Sequence, residues 1–188
     1  MEEDKEIKET KSGSKLETIK DDKLDTLKDK LSKIKTKIDK FQNDLLKKFD
    51  KYVIGIALLP PVKDNKEALD LLVLVDDSDS KKMAKLDLRD KLNAIANNMA
   101  KEIDKNFRID VMLLSEMQQN CFDAKWEFMK ELSMSASIYD PKDLIAAIKV
   151  SDVHKEMVLK KFERYIVSYV AAGSLFRGEK SNDIDVYI

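Results

Sequence analysis

YVIGIALLPPVKDNKEALDLLVLVDD, residues 52–77, contains two short runs of aliphatic and β-branched residues. A Pro-Pro pair and a polar stretch separate the runs, and an Asp/Ser cluster follows the second. Short apolar runs bounded in this way predict two neighbouring strands that are buried in a sheet. The rest of the fold is expected to build around this pair.

Helical and extended patterns alternate after the two strands. Amphipathic helices are predicted over residues 80–104 and 116–132, with a third strand between them at 107–115. A short strand or turn at 135–141 precedes two more helices across 142–165. Helices between strands indicate a mixed α/β (α+β) fold, in which helices flank a mixed sheet.

A polar arm and a long helix precede the first strand. Residues 1–15 carry no apolar period and are predicted to form a disordered arm. Over residues 16–50, apolar residues recur in steps of three and four, which predicts a heptad-like amphipathic helix of the coiled-coil type. The apolar seam of this helix consists of Leu24, Leu27, Leu31, Ile34, Ile38, Phe41 and Leu45.

The charges beside this seam limit what the helix can bind. Facing copies would set lysine against lysine, which disfavours a homodimer. The helix is therefore expected to pack on its own domain or in a short bundle, and an acidic protein partner docked on residues 16–48 is the alternative. RNA is a third candidate because the helix is locally basic, but no aromatic residues interleave with the lysines to stack on bases. The flanking lysines are Lys28, Lys30, Lys35 and Lys37.

Composition narrows the class of protein. Lys+Arg number 35 and Asp+Glu 36 among 188 residues, so global charge gives no reason to expect nucleic acid or membrane as partners. No apolar run approaches the roughly 20 residues of a membrane span, and the charged N-terminus has no signal-peptide core. The only cysteine, Cys121, cannot form an internal disulfide and is expected in the core. These features predict a cytoplasmic protein.

The segment that contains the two strands occurs twice. Residues 45–75 align without a gap with residues 158–188, at a shift of 113 positions. Helix, strand, turn and strand follow in the same order in both copies, which predicts a tandem duplication. A first domain over residues 51–150 and the start of a second copy over 151–188 follow from this alignment. The identical pairs are Leu46/Leu159, Lys47/Lys160, Lys48/Lys161, Phe49/Phe162, Tyr52/Tyr165, Asp70/Asp183 and Val73/Val186.

GSLFRG, residues 173–178, has the composition of a phosphate-binding turn. Gly173 and Gly178 let the backbone turn sharply and approach a ligand closely. Ser174 offers a hydroxyl group, and Arg177 adds a cation to the backbone N–H donors of the turn. The turn therefore predicts a binding site for the phosphates of a nucleotide.

DIDVYI, residues 183–188, predicts a metal-binding strand beside that turn. Strand alternation places Asp183 and Asp185 on one side of the sheet, while Ile184 and Val186 face the core. Two adjacent carboxylates repel each other unless a cation neutralises them, and Mg²⁺ bound to nucleotide phosphates is the usual cation. Phosphates and metal ions at one place are the requirements of in-line nucleotidyl transfer.

GS-x-x-RG followed by DID on a strand resembles the signature of the DNA polymerase β-like nucleotidyltransferase superfamily. The resemblance implies a mixed sheet and transfer of a nucleotide from an NTP with Mg²⁺ or Mn²⁺. It implies that Gly173 and Ser174 hold the phosphates and that Asp183 and Asp185 are catalytic carboxylates that bind two metal ions. It also implies a third carboxylate from a later strand.

The first copy has lost most of this signature. Pro60-Pro61 stands in place of the Gly-Ser pair and cannot supply N–H donors. Leu72 replaces one aspartate, which leaves Asp70 and, on the predicted third strand, Asp110. We therefore expect the first copy to be a degenerate, inactive domain. The second copy reaches only its second strand, so the 188 residues are expected to be a fragment that is inactive by itself.

Overall fold

A computed structural model describes the backbone of residues 13–61, 68–123, 125–179 and 183–188. Side chains are described from residue 28 onward, except those of Trp126 and Leu175. The chain divides into two compact units, Met1–Asp39 and Lys40–Ile188. Most of the predicted arm lies outside the described residues, and the first helix begins at Gly13.

The predicted mixed α+β class is confirmed. Helices and strands alternate through Lys40–Ile188, and short 3₁₀ turns at Asp50–Tyr52 and Leu175–Arg177 connect some of them. The described elements are α1 (Gly13–Phe49), β1 (Val53–Leu58), β2 (Leu69–Val75), α2 (Lys85–Ile103), β3 (Phe107–Leu113), α3 (Leu114–Phe122), α4 (Trp126–Met134), β4 (Ala136–Tyr139), α5 (Leu144–Phe162), β5 (Val170–Ala172) and β6 (Asp185–Tyr187).

The first four strands form one mixed sheet in the order β3-β2-β1-β4. β1 runs antiparallel to both β2, the next strand along the chain, and β4, which follows it in the chain only after four further helices and strands beyond β2. β3 runs parallel to β2, because α2 carries the chain back to the start of the sheet between them. The predicted pair of buried strands therefore lies at the centre of the sheet.

Helices cover both faces of this sheet. The side chains of β2 alternate between the two faces and are apolar on both, so both faces need cover. Leu72 and Leu74 point to one face, where α3, α4 and α5 bury them beside Met117 and Ile145. Val73 belongs to the opposite face, which α2 and the last turns of α1 cover. On that side, the rings of Phe41 and Phe107 meet edge to face, with their centroids 6.2 Å apart. Burial on both faces explains why β2 is an almost unbroken apolar run.

The outer edge of β3 is closed by side chains of α2. Asn97 accepts a hydrogen bond from the backbone N–H of Ile109 and donates one to the carbonyl oxygen of the same residue. Asn93 accepts a hydrogen bond from the backbone N–H of Val111. These amides occupy backbone groups that a further strand would otherwise pair with, so the edge is protected.

Two helix predictions were wrong in detail. The helix expected over residues 116–132 is two helices, because the chain turns after Phe122 and the N–H of Lys125 bonds back to Asn120. The two helices expected across residues 142–165 are one helix, α5, since no glycine or proline interrupts that stretch. α5 consequently runs through the boundary predicted at residue 150.

The seam of α1 changes character along the helix. Phe41 and Leu45 are buried, whereas Leu31 is 65% exposed. Packing on the domain, the first interpretation of this helix, therefore holds for its C-terminal turns. Among the described residues, no helix is long and apolar enough to cross a membrane.

Candidate functional site

The second copy repeats the local structure of the first. α5 ends at Phe162, the residue that aligns with Phe49 at the end of α1. An antiparallel pair, β5 and β6, then follows in the place of β1 and β2. The register differs, because Asp185 pairs with Ala172, whereas its counterpart Leu72 pairs with Ala57. The sequence alignment would have paired Asp185 with Val170.

The Gly-Ser turn lies directly beside β6, the strand that contains Asp185. Gly173 has a φ angle of +113°, in the region that L side chains rarely adopt. A methyl group at this position would lie 3.0 Å from an Oδ atom of Asp185. Glycine therefore serves here to bring the backbone of the turn against a carboxylate, as a shared phosphate and metal site requires.

The turn is closed by its own backbone. The carbonyl oxygen of Ser174 accepts hydrogen bonds from the N–H groups of Arg177, at 2.9 Å, and Glu179, at 3.2 Å. Arg177 itself forms an ion pair with Glu179, with 3.3 Å between the nitrogen and the oxygen. Both side chains are about 60% exposed, so this pair is weak and can exchange for a phosphate.

The remainder of the turn is anchored on the first domain by residues that the sequence did not single out. Gly178 is buried with a φ of +78°, and a methyl group there would lie 2.8 Å from Leu114 of α3. Lys142 donates a hydrogen bond to the carbonyl oxygen of Gly178 at 2.5 Å. Gln118 donates one to that of Phe176 at 3.0 Å. Gly178 therefore has a packing role against α3, and its expected role in nucleotide binding stays a prediction.

Exposure alternates along residues 183–186, which end in β6. Asp183 and Asp185 are exposed, and Ile184 and Val186 are half-buried. Asp183 lies just before β6 rather than within it. The two carboxylates thus share an open side of the hairpin, and their hard oxygen donors fit Mg²⁺ or Mn²⁺. Within the described parts of the chain, no group of three or more His, Cys, Asp or Glu is placed to hold a metal ion.

The corresponding residues of the first copy occupy different surroundings. Asp70 forms two short contacts with Arg108 of the neighbouring strand, at 2.6 Å and 2.7 Å. Asp110 is exposed and stands opposite Leu72 in the register of β2 and β3. Asp70 therefore has an arginine as its counter-ion. Arg108 was missed, although its place two residues before Asp110 on one strand put it on the same face.

A cavity of about 800 Å³ lies behind the turn, between α3, α4, α5 and β5. Cys121 lies at this cavity and is exposed, so its expected place in the core was wrong. Burial of the thiol by the surrounding side chains nevertheless raises its pKa. Gly173 and Arg177 line the same cavity, whereas neither Asp183 nor Asp185 does.

Comparison of the chain with protein-family models, with curated proteins and with solved structures gives no match. What the site can do is therefore inferred from its residues and their arrangement.

Proposed function

We propose that residues 173–179 and 183–187 form the nucleotide- and metal-binding half of a nucleotidyltransferase site. The observation that carries this proposal is the contact between Gly173 and Asp185, which brings a backbone turn and a carboxylate together on an open side of the hairpin. Backbone N–H groups and Arg177 would hold the triphosphate, while Asp183 and Asp185 would hold the divalent cations. The catalytic step itself requires more than this half-site supplies.

In such a site the protein positions the reactants and neutralises the charge of the phosphates, and it forms no covalent bond with the substrate. An acceptor hydroxyl attacks the α-phosphorus of the NTP, the bond to the β-phosphate oxygen breaks, and pyrophosphate leaves. The carboxylates keep the metal ions in place, and the turn fixes the triphosphate in line with the acceptor. Transfer also needs a third carboxylate, which the resemblance assigns to a later strand. For the 188 residues alone we therefore expect nucleotide binding without transfer.

Calorimetry with ATP, GTP, CTP and UTP in Mg²⁺ tests the proposal. The chain should bind at least one of these nucleotides, and Asp183→Ala with Asp185→Ala should abolish binding. Asp110→Ala is the matched control, because it removes an exposed carboxylate of the first copy and should leave binding unchanged. Equal binding by all three proteins, or none by the unaltered chain, would show that the second hairpin is not a nucleotide site.

A non-catalytic interaction module is the second candidate function. The exposed Leu31 on the seam of α1 favours it, because an apolar helix face open to solvent can receive a partner helix. Removal of residues 16–48 would not test it cleanly, since that deletion also takes Phe41 and Leu45 out of the core. A chain that begins at Lys40 keeps both and should fold. Partner binding that this shorter chain retains in full would exclude the part of α1 before Lys40 as the docking element.

A further inference from the structure

The peptide group that joins Phe176 to Arg177 is held at both ends. Its carbonyl oxygen accepts a hydrogen bond of 3.0 Å from the side chain of Gln118 on α3. Its N–H donates a hydrogen bond of 2.9 Å to the carbonyl oxygen of Ser174. A peptide group is planar, so a donor that fixes its carbonyl oxygen also fixes the direction of its N–H. Gln118 therefore acts on Ser174 through one rigid group of atoms.

The peptide group that joins Gly178 to Glu179 is held in the same way. The ammonium group of Lys142 donates a hydrogen bond of 2.5 Å to its carbonyl oxygen. Its N–H donates a hydrogen bond of 3.2 Å to the same carbonyl oxygen of Ser174. The close approach of Gly178 to Leu114 keeps this part of the turn against α3. Two peptide groups, each held from the first domain, thus converge on Ser174.

Lys142 is the stronger of the two anchors. Its side chain is half-buried, and it forms no ion pair within the described parts of the chain, so the bond to Gly178 is the one that orients it. A hydrogen bond from a charged donor is roughly twice as strong as one between neutral groups. Donation to a carbonyl oxygen also polarises the N–H of the same peptide group and strengthens the bond that this N–H donates.

The carbonyl oxygen of Ser174 is occupied, whereas its donors are not. Among the described residues, neither its backbone N–H nor its hydroxyl group donates a hydrogen bond. The preceding residue, Gly173, lies against Asp185, so the backbone of Ser174 is restrained on both sides. The N–H and the hydroxyl group are therefore held in place and left for a ligand. They are also the groups that the resemblance assigns to the phosphates of a nucleotide.

We propose that Lys142 and Gln118 are positioning residues for nucleotide binding at the second hairpin. Both belong to the first domain, so one copy would hold the turn of the other in place. A turn that is already held in one conformation binds a ligand more tightly, because less conformational freedom is lost on binding. This inference rests on the proposed function, since the positions of these donors matter for affinity only if the turn binds phosphates.

Calorimetry on the full chain tests the positioning, with Mg²⁺ and each of ATP, GTP, CTP and UTP. Lys142→Met removes the donor and should weaken binding by about tenfold, the ratio expected for one hydrogen bond to a charged group. Gln118→Leu should weaken it by about fivefold, because its donor is neutral. Lys142→Arg keeps a charged donor and should restore most of the affinity. Inorganic tripolyphosphate should show the same loss with Lys142→Met, because the turn is expected to contact phosphates rather than the base.

Lys149→Met is the matched control for Lys142→Met. Lys149 is also half-buried and donates a hydrogen bond to a backbone carbonyl oxygen, that of Ser135, which is not part of the turn. This variant should lose a comparable amount of stability and keep the full affinity for nucleotide. Gln119→Leu is the corresponding control for Gln118→Leu, because Gln119 is the next residue of α3 and is exposed.

Amide hydrogen exchange measures the positioning without any nucleotide. The N–H of Glu179 bonds to Ser174 and should exchange about tenfold faster in Lys142→Met, because the peptide group loses the donor at its carbonyl oxygen. The N–H of Arg177 should respond in the same way to Gln118→Leu. Neither rate should change in Lys149→Met.

The results that would overturn the inference are distinct from those that would overturn the proposed function. If Lys142→Met binds nucleotide as well as the unaltered chain does, the nucleotide site stands and the positioning role falls. Unchanged exchange at Glu179, or a loss of affinity that Lys149→Met shares, would also exclude positioning. If the unaltered chain binds no nucleotide and no tripolyphosphate, the proposed function fails and the role in nucleotide binding fails with it. Faster exchange at Glu179 would then mark Lys142 as a purely structural contact.

Discussion

The hairpins β1–β2 and β5–β6 have the same local plan and opposite surroundings. In the first, Leu72 is 1% exposed under α3 and α5, with β3 and β4 on either side of the hairpin. In the second, the aligned residue Asp185 is exposed, and Tyr187 beside it is 63% exposed. A hairpin whose face is covered by helices can use leucine there, and a hairpin whose face is open can use a carboxylate. The same element therefore serves as core in one copy and as a candidate site in the other.

The difference also bears on the expected inactivity of the first copy, beyond the replacement of one aspartate by Leu72. The face of the first hairpin that corresponds to the face with Asp185 is filled by Leu72, Leu74, Met117 and Ile145, so a nucleotide would have no space there even if the aspartate were restored. Asp70, the one aspartate that remains, has a structural partner in Arg108. The same face of a hairpin can be packed in the core or be open to a ligand, but it cannot be both.

Leu72→Asp tests this comparison with the largest expected effect. The change restores the residue of the second copy but places a carboxylate among buried aliphatic side chains. We expect a loss of more than about 4 kcal/mol in the free energy of unfolding, which is a large fraction of the roughly 5–15 kcal/mol of a typical domain. Urea denaturation followed by circular dichroism measures it. A well-folded variant that binds Mg²⁺ would show instead that the face can open.

Asn97→Leu tests the protection of the sheet edge, which the second hairpin lacks. The variant leaves the N–H and carbonyl groups of Ile109 without the partners that Asn97 provides. We expect a loss of about 1–3 kcal/mol in unfolding free energy, together with self-association through the exposed edge. Asn98→Leu is the matched control, because Asn98 is exposed on the same helix. Equal losses in both variants would attribute the effect to helix α2 rather than to the edge.

Asp152→Asn probes α5, the helix that packs on the first domain and leads into the second hairpin. Burial alone would raise the pKa of Asp152, but hydrogen bonds from Lys155 and Ser133 outweigh it and hold the pKa below its usual range. A carboxylate with a lowered folded pKa stabilises the fold above its unfolded pKa of roughly 3.9. That contribution is lost as the pH falls through the folded pKa.

We therefore expect Asp152→Asn to cost on the order of 1 kcal/mol at pH 7 and to differ little from the unaltered chain in strong acid. The check is the free energy of unfolding of the variant and of the unaltered chain, measured at intervals from pH 7 down to strong acid. Glu156→Gln, an exposed carboxylate on the same helix, should cost less at pH 7. A cost for Asp152→Asn that stays constant with pH would contradict the assigned ion pair.

Asp185→Leu is the reverse exchange of Leu72→Asp and should have the smallest effect on stability. The side chain is exposed, so we expect a change within about 0.5 kcal/mol in unfolding free energy. Thermal unfolding gives this value, and calorimetry with NTP and Mg²⁺ should show at the same time that binding is lost. A large destabilisation would mean that the open face of the second hairpin is part of a core.

Elements with a strong period and clear boundaries were predictable from the sequence. The apolar run of β2 and the Pro-Pro pair after β1 identified the central strands, and Pro141 marked the end of β4. Helix boundaries were less predictable where the signal was weak. The turn after Phe122 contains neither glycine nor proline, and its hydrogen bond from Lys125 to Asn120 cannot be read from a local pattern.

The candidate site was predictable in part, for a similar reason. Glycine and alternating aspartates carry local requirements, so Gly173, Asp183 and Asp185 could be selected from their spacing alone. The anchors of the turn could not, because Lys142 and Gln118 are 36 and 58 residues away from the carbonyl groups they contact. Side chains that act at such distances leave no periodic signal.

The sequence by itself determined the order of the strands and the alternation that puts both aspartates on one side, and it predicts the duplication. These are local properties of the backbone, since apolar spacing and turn residues specify them without reference to the rest of the chain. Only the tertiary structure decided that Leu72 lies in a core while Asp185 stays open, that Arg108 pairs with Asp70, and that a cavity borders β5. Burial depends on which elements pack together, and packing joins residues that are far apart in the chain.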